Sequence, residues 1–128
     1  MRGASALQEM LNGFQHAQIS ILIVWEPVLW TDLYPPTSYV LSRVSDRRAV
    51  QFWDRGQSLS RFMVRSAIEN PSLLWPGDAI APDTLVWDFV AVFPAGATWN
   101  PLPQPSYHGG PVVDVIEQVR STLSSSPP

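Results

Sequence analysis

Cysteine and lysine are both absent from this chain of 128 residues. Without cysteine there is no disulfide, no thiolate metal site and no thiol nucleophile. Arginine supplies all eight basic groups against eleven acidic ones, which gives a net charge of −3. This balance provides no basic field for nucleic acid or an acidic membrane, so neither is a predicted partner.

Long apolar runs are also lacking. The longest, at 19–30, is interrupted by Glu26 and Pro27, and it falls short of the roughly 20 residues that span a bilayer. The first residues contain no basic stretch leading into an apolar one, so no secretory signal is recognised. We therefore expect a cytoplasmic protein.

The composition predicts one globular domain over 1–128. Hydrophobic residues make up 45% of the chain and charged residues 15%, and a chain of this length is sufficient for one core. The ordered part is expected at 5–123, and a disordered tail is expected at 124–128.

Apolar residues that recur at helical spacing predict four helices. Their ranges are 5–17, 38–44, 58–69 and 112–123. Ser5 can cap the first helix, either Thr37 or Ser38 the second, and Ser58 the third.

Runs of β-branched and aromatic residues predict four strands. Their ranges are 19–26, 49–53, 85–93 and 97–99. The turn Pro94-Ala95-Gly96 between the last two predicts a hairpin, and 100–111 is predicted to be a loop. Strands that alternate with helices imply right-handed parallel crossovers, to which the hairpin adds an antiparallel strand. The predicted fold is α/β, with a mixed four-stranded sheet flanked by helices.

This element order resembles the thioredoxin fold. In that family the first core strand leads into Trp-Cys-x-x-Cys at the start of a helix. Here 21–25 matches the strand, and Trp30-Thr31-Asp32-Leu33-Tyr34 occupies the place of the motif. The run 89–99 resembles the family's terminal hairpin and 112–123 its last helix. The likeness covers about 5–123, and Trp30 is its only specific motif residue.

Departures from the family pattern limit what the resemblance implies. Thr31 and Tyr34 stand where the two cysteines belong, and neither side chain can attack a disulfide as a thiolate does. The family's cis-proline has no counterpart at Val86-Trp87-Asp88, and its buried acid corresponds to Glu26 only with a shift of one residue. The resemblance thus implies a thioredoxin-like fold and the location of a site, without redox activity. No cofactor is predicted.

The candidate binding site is the loop after the first strand, together with two residues expected to approach it. Its members are Trp30, Thr31, Asp32, Tyr34, Trp87 and Asp88. They offer aromatic walls and a few polar groups for a ligand. In the structural alternative, Asp32 and Thr37 cap helices, while Trp30 and Tyr34 fill edges of the core.

Acid–base or metal chemistry would need side chains that are distant in sequence to converge. Asp32 and Asp88 could form a carboxylate pair in which one pKa is raised, and Glu26 is a third candidate. His16 and His108 are the only histidines, and His108 lies in a glycine-rich turn that we expect to be exposed. No metal site is predicted.

Two functions follow from these residues. The first is a redox-inactive binding or interaction module for a protein, a peptide or a small molecule. The second is a cysteine-independent enzyme that uses carboxylate and hydroxyl groups of the same loop, with Asp88. In addition, Trp25, Trp53 and Trp87 lie on predicted strands, where broad amphipathic rings suit either the faces of the sheet or an interface such as that of a homodimer.

Overall fold

The computed structural model of the chain describes residues 2–73 and 80–125. Within this part, helices and strands follow one another along the chain. In order, they are α1 (Arg2–Asn12), β1 (Ile21–Trp25), α2 (Ser38–Leu41), β2 (Ala49–Trp53), α3 (Ser58–Glu69), β3 (Val90–Val92), β4 (Tyr107–Gly109) and α4 (Val112–Ser125). None of these helices is long and apolar enough to cross a membrane.

The four strands form two separate two-stranded sheets. β1 and β2 are parallel, and their register pairs Ile21 with Ala49 and Trp25 with Trp53. β3 and β4 are antiparallel. The predicted mixed four-stranded sheet of a thioredoxin-like fold is therefore wrong.

The predicted hairpin fails in its second strand. Its turn does form, because the Ala97 N–H donates to the Pro94 carbonyl at 3.2 Å and Gly96 adopts a φ of 76°. Trp99 then packs its ring against that of Phe93, with centroids 5.1 Å apart, and 97–99 forms no strand. β3 pairs instead with β4, which lies in a segment predicted to be a loop.

The ends of the helices show which of the predicted caps and bounds are correct. α1 begins at Arg2 and ends at Asn12, so Ser5 lies inside it and does not cap it. Thr37 caps α2, as one of the two predicted alternatives has it, because its Oγ1 accepts a hydrogen bond from the Val40 N–H at 3.4 Å. β2 and α3 occupy their predicted ranges, and α4 continues two residues past its predicted end.

Two hydrophobic clusters form the core. The first joins α1 and α4 to one side of each sheet, and its buried members are Met10, Leu11, Val44 and Val119. The second packs α3 against the segments around β3, and its buried members are Met63, Ala67, Leu73 and Leu102. Leu73 belongs to a segment, 71–83, whose prolines and apolar residues predict a loop packed over the sheet; residues 74–79 of it lie outside the described residues.

Arg48 connects the turn before β2 to the end of α1. Its guanidinium donates to the two carboxylate oxygens of Asp46 at 2.9 and 2.6 Å, and to the carbonyls of Phe14 and Ala17 at 2.6 and 2.9 Å. The Asp46 side chain is almost fully buried. The side-chain hydrogen bond from Arg48 is the largest cause that lowers the pKa of Asp46 to about 2. The ion pair thus fixes the start of β2 relative to α1.

Replacing Asp46 with asparagine should destabilise the protein by about 1–3 kcal/mol at pH 7, because one charge-assisted hydrogen bond is lost. The pKa of Asp46 in the folded protein, about 2, lies below its ordinary value of 3.8. The stabilisation is therefore present above the ordinary value and is lost as the pH falls through the folded value. Urea unfolding of both proteins at several pH values measures this effect. The variant should lose less stability on acidification than the wild type; equal losses would contradict the assignment.

Candidate binding surface

Two carboxylates directly follow the parallel strands and point at the start of α3. Asp54 Oδ2 accepts a hydrogen bond from the Leu59 N–H at 2.8 Å, and Glu26 Oε1 accepts one from the Ser60 N–H at 3.0 Å. The first N–H groups of a helix have no partner within the helix. The parallel register brings both carboxylates to these groups, because Trp25 and Trp53 are paired.

The predicted capping of α3 by Ser58 is wrong. Gln57 occupies the N-cap position with a φ of 54°, and its side chain makes no hydrogen bond to the helix. Capping falls instead to Glu26 and Asp54. Burial of Asp54 acts to raise the pKa of its carboxyl group. Hydrogen bonds donated by Leu59, Ser58 and Gly56 outweigh burial, so the pKa of Asp54 is lowered.

Glu26 also accepts a second hydrogen bond from Ser60, a residue that is only 2% exposed. The Ser60 hydroxyl donates to the second oxygen of Glu26, and its Oγ accepts a hydrogen bond from the Val86 N–H at 3.3 Å. A carboxylate beside a serine hydroxyl is a pairing that can activate a nucleophile. Here the hydroxyl is buried away from any substrate, so the pair joins α3 to the segment before β3.

Asp32 and Asp88 lie in different surroundings. Asp88 has a φ of 47°, and a Cβ on Gly3 would lie 2.6 Å from its Oδ1, which places the Asp88 side chain against the first turn of α1. Asp32 accepts a hydrogen bond within its own loop. Across the described part of the chain, no hydrogen bond connects the two carboxylates, so the contacts give no support to acid–base chemistry shared between them.

The loop at 27–36 presents large apolar side chains to solvent. Trp30 is 85% exposed and Tyr34 81%, and Leu29 and Leu33 are also exposed. Asp32 holds the turn: its N–H donates to the Leu29 carbonyl at 2.8 Å, and its Oδ2 accepts from the Leu29 N–H at 3.0 Å. Single exposed apolar residues are ordinary, but a group of them in one loop forms a patch. We call this group, Leu29, Trp30, Leu33 and Tyr34, the aromatic loop.

The remaining candidate residues divide between the loop and a separate segment. Thr31 is exposed, and its Oγ1 lies 3.5 Å from Asp32 Oδ1. Trp87 is exposed on the segment before β3. The described contacts include no hydrogen bond or ring contact between Trp87 and the aromatic loop. The structure thus places Trp30, Thr31, Asp32 and Tyr34 in one loop, and among the described residues no hydrogen bond or ring contact joins Trp87 or Asp88 to them.

The structure also has a second apolar surface, on β1 and β2, that the sequence did not predict. Side chains alternate along each strand, so Ile21, Ile23 and Ala49 face the core while their neighbours face the other way. We call this other side the outer face; it consists of Leu22, Val24, Val50 and Phe52. Leu22 is 65% exposed, and Val50 and Phe52 are exposed as well. A wholly apolar strand has no polar alternation that could reveal its exposed side.

Among the described residues, neither a polar cavity nor a group of metal ligands forms a stronger candidate site than the two apolar surfaces. No group of three potential metal ligands converges there. A cleft of about 300 Å³ beside α1 is lined in part by Gln8, Asp46 and Arg48, whose polar groups are already hydrogen-bonded within the protein. His108 lies in β4 with its ring 6.1 Å from that of Phe89, and burial lowers the pKa of His108. The expected exposed turn at His108 is therefore a strand.

Comparison with protein-family models, with curated proteins and with solved structures finds no match to this chain.

Replacing Glu26 with alanine should lower the free energy of unfolding by about 1–3 kcal/mol, because it leaves the buried Ser60 N–H and hydroxyl without an acceptor. Glu26→Gln keeps one acceptor oxygen and should cost less. Urea denaturation at pH 7 measures both effects. An alanine variant as stable as the wild type would show that Glu26 does not cap α3.

Replacing Asp32 with alanine should loosen the aromatic loop with little effect on global stability, at most about 1.5 kcal/mol, because the hydrogen bonds that its side chain accepts from the Leu29 N–H and the Thr31 hydroxyl are exposed. Hydrogen exchange of the Leu29 amide, followed by NMR, should become faster. Asp32→Asn retains an acceptor oxygen and serves as the matched control with near wild-type exchange. Unfolding of the whole domain by the alanine variant would instead make Asp32 a global structural residue.

Proposed function

We propose that this chain is a protein-binding module whose ligand contacts the aromatic loop. One observation carries the proposal: Leu29, Trp30, Leu33 and Tyr34 are all exposed on a turn that Asp32 holds in place. Tryptophan and tyrosine are enriched among the residues that dominate binding energy. They offer large contact areas and lose little conformational freedom on binding. A turn of fixed shape lowers the entropic cost further.

The chemistry of the loop favours an apolar peptide segment as the ligand. Asp32 is the only charged residue within 27–36, and its carboxylate is engaged with the Leu29 N–H. The loop contains no basic residue, so an acidic ligand would find no ion-pair partner in it. Aromatic and leucine side chains instead accommodate apolar residues of an extended or turn-forming segment.

The enzyme alternative has less support than binding. Glu26 and Ser60 hydrogen-bond to each other in the interior, and Asp32 is used within its turn. General acid–base catalysis needs a base within hydrogen-bond reach of the group that it activates. Thr31 and Tyr34 are exposed at the surface rather than lining an enclosed pocket. The aromatic loop is better suited to contact than to reaction.

The cytoplasm is the compartment that we propose for this module. The chain contains no cysteine, so its folding needs no oxidising environment to form disulfides.

Peptides selected from a random display library against the wild-type chain provide the probe for this function. Trp30→Ala and Tyr34→Ala should each weaken peptide binding about 10- to 100-fold, because truncation of a central aromatic contact typically costs about 2 kcal/mol or more. Fluorescence polarisation with labelled peptide measures the dissociation constants, and circular dichroism checks that the variants are folded.

Two further variants serve as controls in the same experiment. Ile68→Ala shortens an exposed apolar side chain on α3 and should leave binding unchanged. Trp87→Ala tests whether Trp87 contributes to the same surface, in which case binding weakens as it does for Trp30→Ala. Unchanged affinity in a Trp30→Ala/Tyr34→Ala double variant would overturn the proposed function.

A further inference from the structure

The outer face of β1 and β2 is an apolar surface without a cover among the described residues. Leu22, Val50 and Phe52 are exposed, and these residues belong to neither hydrophobic cluster. The opposite side of the same strands packs into the first cluster through Ile21, Ile23 and Ala49. Within 2–73 and 80–125, the parallel pair is thus packed into a hydrophobic cluster on one side only.

This exposure is unusual for parallel strands. Parallel sheets occur almost only with both faces covered, and their strands read as continuous apolar runs for that reason. β1 reads Ile-Leu-Ile-Val-Trp and β2 reads Ala-Val-Gln-Phe-Trp, and the one polar residue, Gln51, lies on the core side. The composition of both strands is therefore that of a sheet with two buried faces.

The cross-strand pairing makes the outer face continuous. Leu22 is paired with Val50, and Val24 with Phe52. Directly paired side chains in a sheet lie close enough to touch, so the four residues form one patch without a polar gap. Such a patch can pack against another apolar sheet face at about 10 Å, as in sheet sandwiches.

We propose that a second copy of this chain covers the outer face, so that two β1–β2 pairs stack about a two-fold axis. The inference does not depend on the proposed peptide ligand, because it concerns a different surface from the aromatic loop. A two-fold interface uses the same patch on both subunits and therefore requires that the patch be complementary to itself. The outer face meets this requirement because it contains no charged residue that an identical face would repel.

The absence of charge favours a second copy of this face over nucleic acid or an acidic membrane. The outer face contains none of the eight arginines and none of the eleven acidic residues of the chain. Two identical faces can therefore meet without burying an unpaired charge, which would be costly. Nucleic acid or an acidic membrane would instead need basic groups on the surface that it contacts.

Trp25 and Trp53, which the sequence suggested for a homodimer interface, lie on the other side of the pair. Trp25 donates from its Nε1 to Gln51 Oε1 at 3.0 Å, and Gln51 donates in turn to the Leu41 and Val44 carbonyls. These contacts place Trp25 and Gln51 on the core side, and Trp53 lies on the same side because it is paired with Trp25. The proposed contact between copies therefore uses the outer face instead.

The size of the outer face predicts a weak dimer. Stable complexes bury about 800 Å² on each partner, whereas an aromatic side chain contributes at most about 250 Å² and the face contains a single one, Phe52. The area falls short of the standard value, so we expect a weak, transient dimer. The two forms should exchange within an accessible concentration range.

Sedimentation equilibrium of the full chain tests the proposal over a range of about 1–500 µM, in which weak complexes dissociate. The apparent mass should rise from the 14.3 kDa of the monomer towards twice that value. Leu22→Lys places a charge in the face and should raise the dissociation constant at least 10-fold. Val50→Thr, nearly the same in shape, adds one hydroxyl and should weaken the dimer while the fold is retained.

Matched controls separate this surface from the rest of the protein. Ile68→Lys introduces the same charge at an exposed apolar position of α3 and should leave the dimer intact. Trp30→Ala should also leave it intact, although it weakens peptide binding, so a failure of one proposal does not imply a failure of the other. Circular dichroism confirms that each variant is folded.

Two results would overturn the proposal. One is a wild-type chain that remains monomeric at the highest concentration. The other is a dimer that forms equally well in the folded Leu22→Lys and Val50→Thr variants. Cross-copy nuclear Overhauser effects in a mixture of labelled and unlabelled chains locate the contact directly and should involve Leu22, Val24, Val50 and Phe52.

Discussion

The parallel register between β1 and β2 determines the position of nearly every other feature. It aligns Trp25 with Trp53, so that the carboxylates of Glu26 and Asp54 leave the two strands side by side and meet the first N–H groups of α3. A shift by one residue would turn every strand side chain to the opposite side. It would also move one carboxylate away from the helix, and α3 would lose a cap.

Polar contacts then hold this strand pair in place from several sides. Gln51 links Trp25 to the backbone around Val44, and Arg48 links the start of β2 to the end of α1 through Asp46. Each of these groups is partly or fully buried and is satisfied by partners within the protein. Buried polar groups without partners would be costly, so these contacts specify one arrangement of the helices around the strands.

The same groups explain why binding is a better account of this protein than catalysis. The titratable side chains near the strand ends are engaged in capping or turn formation: Glu26 and Asp54 at α3 and Asp32 in its loop. The aromatic loop and the outer face, in contrast, expose apolar side chains. Surfaces of this composition gain free energy when they are covered, and the two surfaces are proposed to meet different partners.

The sequence by itself determined the features that depend on neighbouring residues. The helical periodicity of 58–69 and the β-branched run at 49–53 reappear in the structure, and so does a cap of α2 at Thr37, one of the two positions that the sequence allowed. It also predicted that Trp30, Thr31, Asp32 and Tyr34 would share a loop. Only the tertiary structure decided which strands pair: β3 joins β4 rather than 97–99, because Trp99 packs against Phe93. It likewise decided that Asp88 lies beside α1 and that Leu22 faces solvent. Strand pairing and burial depend on residues distant in sequence, and an apolar strand looks the same from the sequence whether one face or both are covered.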